Sequence, residues 1–483
     1  MANAVRVQVP LPALRKTRRN QKFRWVFYFP AALKKCRASF LPCGRTKIMK
    51  YRREGYNLKS GPNLYFFNTH ANKFSVAYLL AILEQEGLKD SFGISFFGGY
   101  EDVERIMLGE NFAVPAGVFI FSFMTPLLPE LVDIIARMKE KPEYIKNKNR
   151  ILMIAGGPHP SGDPDSAAAM GFDLVFSGEA EYMWPEFLQK VRGEGGSEKF
   201  GENIISEYST SVIFDEREAP LDKYLPFGSL TAHIPPLEIM RGCYYKCRFC
   251  QTACSRVRFR SVESATRYFQ EYKRRGYKKI SFICPSAFHY MSANVREVNF
   301  DAVESLLAAA RKYGSEHIAF GLFPSETRPE TVTERSVALI DKYCGNRKMS
   351  VGVQTGDESR LKTIGRGHGL DEVYEACGVI SSFGITPIVD FIFGFPDETE
   401  DEQIRTLDVI LYLHSKYGAL VQTHFFLPLP GTPLYHKRFS KIWPRSLAML
   451  EKFEKDGICH NCYESGIELS KTVCAILDGL VKK

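Results

Sequence analysis

Leu237-Glu-Ile-Met-Arg-Gly-Cys-Tyr-Tyr-Lys-Cys-Arg-Phe-Cys-Gln251 is the stretch around which the rest of the chain is organised. It begins with a short apolar strand pattern, after which Cys243, Cys247 and Cys250 follow in a C-x3-C-x2-C spacing. Three thiolates on such a loop can hold one face of a [4Fe–4S] cluster and leave one iron without a protein ligand. A zinc site would instead show two CxxC pairs, or one pair with two histidines. The alternative is three unrelated buried thiols, since free cysteine is common in protein cores.

This spacing, with Phe249 directly before the last cysteine, resembles the radical S-adenosylmethionine (SAM) superfamily. The resemblance implies that the three cysteines hold the cluster and that its open iron binds the amino and carboxylate groups of SAM. One electron then cleaves SAM to a 5′-deoxyadenosyl radical. The resemblance also implies an electron donor such as ferredoxin or flavodoxin, and places Phe249 beside SAM.

The composition predicts a soluble protein of two or three domains, because 483 residues exceed one simple core and the chain is 45% apolar and 25% charged. No signal segment is evident at the N-terminus, and a cluster requires reduced thiols, so we expect a reducing, cytoplasmic location. The longest apolar run, Val114–Leu128, contains Pro115 and Pro126 and is too short for a membrane span.

A basic N-terminal extension is predicted over residues 1–60. Residues 1–53 contain fifteen Lys and Arg and no Asp or Glu, which exceeds the net charge of +9 of the whole chain. Aromatic residues such as Trp25 and Phe27 lie between the basic ones. This mixture favours packing against the next domain or docking of a protein partner over binding of nucleic acid.

The region 61–195 alternates short apolar strands with helical patterns. The predicted strands are Asn63–Phe67, Gly93–Phe97, Gly117–Phe123, Ile151–Ala155 and Leu174–Ser177. Strands separated by helices predict a parallel, doubly wound sheet of Rossmann or flavodoxin-like type. Ligands of such sheets bind at the carboxyl ends of the strands.

Glycine-rich and polar loops follow these strands, and their position before the cysteine motif resembles the N-terminal domain of cobalamin-dependent radical SAM methyltransferases. The resemblance implies cobalamin contacts from Asn68, Thr69, His70, Ser122, Thr125, Gly156, Gly157, His159, Gly178 and Glu179. The wider cobalamin pattern D-x-H-x-x-G, whose His ligates cobalt, is missing. The first loop reads Asn68-Thr-His-Ala-Asn-Lys73, and the H-x-x-G at His159 follows the fourth strand without the Asp. We therefore expect cobalt without a histidine ligand.

A proline-rich linker is predicted over 196–234, followed by a second α/β domain over 235–435. Its predicted strands are Leu237–Met240, Lys279–Cys284, His317–Phe323, Ser350–Gln354, Thr386–Phe393 and Leu420–Phe426. Six strand–helix units match the partial (βα)6 barrel that the superfamily resemblance implies, with ligand loops at the carboxyl ends of the strands.

Polar residues at those ends are candidates for binding SAM. Glu326 and Arg328 alternate, so both side chains of an extended segment can face one cavity. A carboxylate suits the ribose hydroxyls or the amine of SAM, and a guanidinium suits its carboxylate. Gln354 and Thr355 could contact SAM or the substrate. The alternative for Glu326 and Arg328 is a salt bridge that closes a strand end.

The tail, 436–483, is predicted to cap the barrel and contribute to the substrate region. It contains Cys459-His-Asn-Cys462 and Cys474, which could also bind a metal. Arg366-Gly-His368 and Pro428-Leu-Pro-Gly-Thr432 resemble stretches of cobalamin-dependent radical SAM proteins.

The function that the resemblance implies is transfer of a methyl group from methylcobalamin to an unactivated sp3 carbon, with no side chain assigned as general base. Length and layout resemble the archaeal enzymes that methylate methyl-coenzyme M reductase, in particular its glutamine C-methyltransferase. This makes a protein or peptide, such as the alpha subunit of that reductase, the expected partner. The alternatives are small-molecule methylation or cyclisation, and RNA modification. Methylthiotransferases acting on RNA carry a second cysteine-ligated cluster, for which residues 1–195 offer only Cys36 and Cys43.

Overall fold

The computed structural model describes residues 61–107, 116–194, 199–208, 211–313, 317–459 and 463–481. The predicted basic extension lies outside the described residues, as does Cys462 of the tail. Within the described ranges, no helix combines the length and apolar character that a membrane span requires.

The N-terminal part forms a six-stranded, fully parallel sheet in the order β2-β1-β3-β4-β5-β6. Its strands are Asn63–Phe67 (β1), Gly93–Phe97 (β2), Gly117–Ser122 (β3), Ile151–Gly156 (β4), Leu174–Gly178 (β5) and Val212–Asp215 (β6). The doubly wound fold and all five predicted strands are confirmed. The sixth strand lies inside the segment predicted as linker and pairs with β5 from Val175 to Gly178.

Helices cover both faces of this sheet. They are Lys73–Gln85 (α1), Tyr100–Met107 (α2), Leu128–Lys139 (α3), Pro142–Lys146 (α4), Pro158–Gly162 (α5), Pro164–Met170 (α6), Ala180–Val191 (α7) and Phe200–Tyr208 (α8). Strand β3 is buried along its whole length, as expected for a central parallel strand with an apolar run. Phe67, Phe97 and Phe121 pack together on one face, with ring centroids 5.4–5.7 Å apart.

The second α/β part contains two three-stranded parallel sheets, in the orders β11-β10-β7 and β12-β13-β14. The strands are Leu237–Glu238 (β7), Lys279–Ile283 (β10), His317–Ala319 (β11), Lys348–Gln354 (β12), Thr386–Phe393 (β13) and Leu420–Phe425 (β14). A parallel bridge between Thr327 and Val351 connects the loop after β11 to β12. The partial (βα)6 barrel is confirmed. The first strand is shorter than predicted, since Met240–Arg241 (β8) pairs antiparallel with Arg258–Phe259 (β9).

The remaining helices are Val262–Arg274 (α9), Phe300–Lys312 (α10), Glu334–Tyr343 (α11), Glu358–Thr363 (α12), Leu370–Ser382 (α13), Glu400–Tyr417 (α14), Pro444–Lys455 (α15) and Tyr463–Val481 (α16). Side-chain oxygens cap five of them, at Ser261, Asn299, Thr333, Asp357 and Thr399. Helix α16 packs Val473 and Leu477 into the core of the first sheet, so the tail joins the two α/β parts.

The carboxyl edge of the first sheet lies against the mouth of the barrel. Gln251 Nε2 donates a hydrogen bond to Pro158 O at 2.5 Å, directly after β4. A Cβ on Gly162 would lie 2.6 Å from Pro430 Cβ, so the two loops approach as closely as glycine allows. Tyr435 also hydrogen-bonds to Asp163 across this contact.

Candidate active site

The cysteine loop, residues 242–257, is held at both ends by the β8–β9 ribbon. It begins at Gly242, which has φ +79°. A Cβ at this position would lie 2.4 Å from Arg256 O. The turn that starts the loop therefore requires glycine, because it combines a left-handed backbone with contact to the opposite side of the loop.

Cys243, Cys247 and Cys250 line one cavity of about 200 Å³. The other lining residues are Tyr245, Phe249, Thr252, Ala253, Pro285, Glu326, Thr327, Arg328, Gly352, Gln354 and Arg366. The structure thus brings together the three cysteines and four of the five residues predicted to bind SAM. Thr355 is the exception: it is buried, and its Oγ1 lies 3.1 Å from Thr406 Oγ1, so it holds the strand end to α14 instead of lining the cavity.

The three thiols are close enough to affect one another. Burial raises the pKa of Cys243, a hydrogen bond from the Tyr245 backbone lowers it, and the neighbouring Cys250 and Cys247 thiols raise it. Even so, no three His, Cys, Asp or Glu side chains in the described parts of the chain converge on a point that one metal ion could occupy. Three thiols that border one cavity fit the predicted [4Fe–4S] cluster, which three cysteines can hold.

Two guanidinium groups flank one of these thiols. Nη1 of Arg366 and Nη1 of Arg328 lie 3.5 and 3.9 Å from Cys247 Sγ. Arg328 also stacks on the ring of Tyr245 and pairs with Glu330 at 2.6 Å. The predicted alternative, a salt bridge between Arg328 and Glu326, is therefore wrong, because Glu330 is the carboxylate partner of Arg328.

Gln354 reaches the cavity through an unusual backbone conformation. Its φ is +83°, in the left-handed region, and the register between β12 and β13 shifts between Gly352 and Gln354. A non-glycine residue in this region costs free energy and persists where the surroundings impose it, often at functional sites. Nearby, Arg366 Nε donates to His368 Nε2 at 3.1 Å. Burial, and then the charge of Arg366, lower the pKa of His368 to about 4.

The carboxyl edge of the first sheet is organised by Asn72. Its Nδ2 donates to Phe67 O and to Ser122 O, both at 2.9 Å, and so ties β1 to β3 where the strand order reverses. Ligands of doubly wound sheets bind at this reversal. Asn68 Oδ1 is buried here without a hydrogen-bond partner among the described residues. A bound ligand could supply the missing donor.

Apolar side chains border the same edge. Phe74 is 37% exposed and Met124 is 40% exposed, and they follow β1 and β3 respectively. Exposed large apolar residues next to an unsatisfied amide suit a flat, largely apolar ring with polar substituents. The residues present thus fit the predicted corrin cofactor.

Some predicted cobalamin contacts are occupied by the protein itself. His159 is fully buried, with Nδ1 at 3.0 Å from Thr125 Oγ1 and Nε2 at 3.0 Å from Ser166 Oγ. Burial lowers the pKa of His159 to about 4, against a smaller opposing effect of Asp163. Because both ring nitrogens are engaged, His159 joins the segments that follow β3 and β4; cobalt without a histidine ligand stays a prediction.

The other predicted cobalamin contacts lie after β1, after β4 and after β5. Thr69 donates its backbone N–H to Asn72 Oδ1 at 2.8 Å, and His70 is exposed beside it. Gly156 ends β4, and Gly157 and Gly178 have positive φ and no room for a Cβ. Glu179 is bound by Arg241 and Arg258 of the ribbon that holds the cysteine loop.

Residues 237–410 match the radical SAM superfamily. The chain carries a radical SAM domain. The tRNA-2-methylthio-N(6)-dimethylallyladenosine synthase of Clostridium tetani is 24% identical over 318 residues, which cover 62% of this chain and 65% of that protein. The match therefore spans just under two thirds of the length of this relative.

Solved structures share the arrangement of a doubly wound domain before the radical SAM domain. The radical SAM methyltransferase TsrM from Kitasatospora setae, solved with cobalamin and a [4Fe–4S] cluster, has a TM-score of 0.52 at 14% identity and covers 78% of this chain and 74% of its own. The apo form of the cobalamin-dependent SAM radical enzyme OxsB has a TM-score of 0.51 at 16% identity, covering 72% and 51%. At these identities the likeness concerns the fold.

Three further residues belong to the candidate site but were not assigned from the sequence. Arg366 and Tyr245 line the cavity, and Asn72 organises the sheet edge. Arg366 and Asn72 lie in stretches quoted for their pattern, yet their partners, Cys247 and Ser122, are far away in the chain. A structure was needed to show these contacts.

Proposed function

We propose that the protein is a cobalamin-dependent radical SAM C-methyltransferase that methylates an unactivated sp3 carbon of a protein or peptide residue. One observation carries the proposal: the three-cysteine cavity and the carboxyl edge of the first sheet adjoin each other. The contact of Gln251, next to Cys250, with Pro158 joins them directly. Two cofactor sites that adjoin can act on one substrate atom.

The residues present fit three cofactors. Cys243, Cys247 and Cys250 would hold a [4Fe–4S] cluster, Arg328 and Gln354 would hold SAM, and the loops after β1 and β3 would hold cobalamin. When bound, these groups supply the electron, the radical chemistry and the methyl group. The division of labour is that of cofactor enzymes in general, in which the protein positions the reactants and excludes water.

The chain's own side chains provide that setting. Arg366 and Arg328 place two positive charges beside Cys247, one of the proposed cluster ligands. Phe249 packs edge-on against Phe395, with centroids 5.7 Å apart, and this apolar pair shields one side of the cysteine loop from water. A dry surrounding strengthens each electrostatic contact in the cavity.

The basic N-terminal extension supports a protein or peptide substrate, since its fifteen Lys and Arg offer a docking surface for an acidic partner. The candidate is a glutamine of the alpha subunit of methyl-coenzyme M reductase, with ferredoxin or flavodoxin as electron donor in a reducing cytoplasm. An anaerobic assay with SAM, reductant, cobalamin and the candidate peptide tests this. We expect 5′-deoxyadenosine together with a mass gain of one methylene on the peptide. Absence of both 5′-deoxyadenosine and a cobalamin spectrum would refute the enzyme class, and loss of the mass gain alone would refute the substrate.

A tRNA substrate is the second candidate, because the relative from Clostridium tetani is named as a tRNA-2-methylthio synthase. Iron content separates the two. One cluster gives about four irons per chain, whereas a second, methylthiotransferase-type cluster gives about eight. Only Cys36 and Cys43 precede the radical SAM domain, so we expect about four.

A further inference from the structure

Three titratable side chains that the proposed chemistry does not use lie together in the barrel. Asp390 is on β13, His424 is on β14, and Glu326 is on the loop after β11. Asp390 is 3% exposed, and its Oδ1 lies 3.3 Å from His424 Nε2. Its second oxygen, Oδ2, is buried and has no hydrogen-bond partner among the described residues.

The register of the strands places these groups on the cavity side of the sheet. Asp390 pairs with Gly352 on one side and with Gln422 on the other, and Gly352 lines the cysteine cavity. His424 lies two residues after Gln422 and therefore shares its face. Glu326 lines the cavity itself. The unsatisfied oxygen thus belongs to a residue on the same face of the sheet as Gly352, which lines the cavity.

Two of the three groups are acids that lie close enough to affect each other. Burial, and then the negative charge of Asp390, raise the pKa of Glu326 to about 7, against smaller opposing effects of His424 and Arg366. The guanidinium of Arg366 is already bound to Gly352 O and Cys247, and that of Arg328 to Glu330. Above neutral pH two carboxylates therefore lie near His424 and near the guanidinium of Arg366, which also contacts Cys247.

We propose that Glu326, Asp390 and His424 form a subsite that binds a cationic nitrogen group of the substrate, an ammonium or a guanidinium. Such a group donates a hydrogen bond to Asp390 Oδ2 and also adds positive charge beside the two carboxylates. A neutral donor would satisfy only the hydrogen bond, and an anion would be repelled. The subsite rests on the proposed function in one respect, namely that the substrate binds in the barrel. It also makes Glu326 a contact of the substrate, whereas the sequence predicted a contact with SAM.

Small probes test the subsite without turnover. The dissociation constants of n-butylammonium and of n-butanol, which has the same chain without charge, are measured at pH 8 by saturation-transfer NMR on the anaerobic, cluster-loaded full chain. We expect the ammonium to bind at least about tenfold tighter than the alcohol, and Asp390→Asn or Glu326→Gln to weaken it about tenfold. Asp371→Asn, the same change on the exposed start of α13, should leave it unchanged.

Equal affinity for the alcohol and the ammonium, or an unchanged ammonium affinity in both variants, would overturn the subsite. If Asp390→Asn does not fold, as judged by circular dichroism, Glu326→Gln decides alone. The result is independent of methyl transfer, because a protein that forms no 5′-deoxyadenosine can still bind or reject the ammonium.

Discussion

Replacement of Gly242 by alanine tests whether the cysteine loop is built for a cluster. The new Cβ would lie 2.4 Å from Arg256 O, 2.6 Å from Arg256 C and 2.6 Å from Ser255 O. All three are backbone atoms, so no side chain can rotate away and the two sides of the loop must separate. The left-handed backbone at φ +79° adds about 1–2 kcal/mol of its own.

Gly276→Ala is the matched control. Gly276 has nearly the same φ, +77°, but a Cβ there meets no atom within 4 Å. The unfolding free energy of the Gly276→Ala variant should fall only by about 1–2 kcal/mol, the cost of a left-handed backbone at alanine. Its iron content should stay at about four per chain. The difference between the two variants therefore measures the contact across the loop alone.

Iron content after anaerobic reconstitution, together with the free energy of unfolding from urea titration, provides the assay. We expect Gly242→Ala to bind less than about one iron per chain, because displacement of residues 255 and 256 moves the loop that carries Cys243. If Gly242→Ala keeps four irons and loses no more stability than Gly276→Ala, the close approach at Gly242 does not shape the cluster site and the reasoning is refuted.

Further predictions concern the sheet edge, the cluster and pH. Asn72→Ala should lower the unfolding free energy by about 2–4 kcal/mol in urea titration, since two buried carbonyls lose their donor. The control is Asn294→Ala at an exposed position, which should change this free energy by less than about 0.5 kcal/mol. Arg366→Gln should lower the reduction potential of the cluster in an EPR-monitored titration, because a charge and a hydrogen bond at Cys247 are lost; an unchanged potential would contradict this. The buried His159, with its pKa lowered to about 4, stays neutral in the fold while the unfolded chain protonates from 6.5 downward, so stability falls as pH drops through this window. His159→Asn should remove up to about 3 kcal/mol of that fall, measured by urea titration at several pH values.

The strands of both α/β parts could be predicted because buried parallel strands are short, nearly continuous apolar runs between loops. Strand β6 could not, since Val212–Asp215 is brief, follows a helix without a clear boundary and gains its strand character only by pairing with β5. The short length of β7 could not be predicted for the same reason, because β8 is defined only by its pairing with β9.

The candidate site divides in a similar way. The cysteines, Glu326 and Arg328 follow strands and Gln354 ends β12, so the rule for strand ends placed them correctly at one cavity. Thr355 shows the limit of that rule. It is one residue beyond Gln354, yet its side chain contacts Thr406 of α14 and does not line the cavity. Asp390 lies within a strand and not at its end, and only the register shows that it shares a face of the sheet with Gly352, which lines the cavity.

The junction between the two α/β parts explains how the two proposed cofactor sites can keep a fixed separation. Arg241 of β8 pairs with Glu179 at 3.0 Å and with Glu181 at 2.8 Å, just after β5. Arg258 of β9 binds the same Glu179. The ribbon that holds both ends of the cysteine loop is thus also the ribbon that binds the edge of the first sheet. Because these ion pairs are largely buried, loss of one partner would leave an uncompensated charge, so the junction resists separation. The contacts that shape the cluster site therefore also set its position relative to the proposed corrin site.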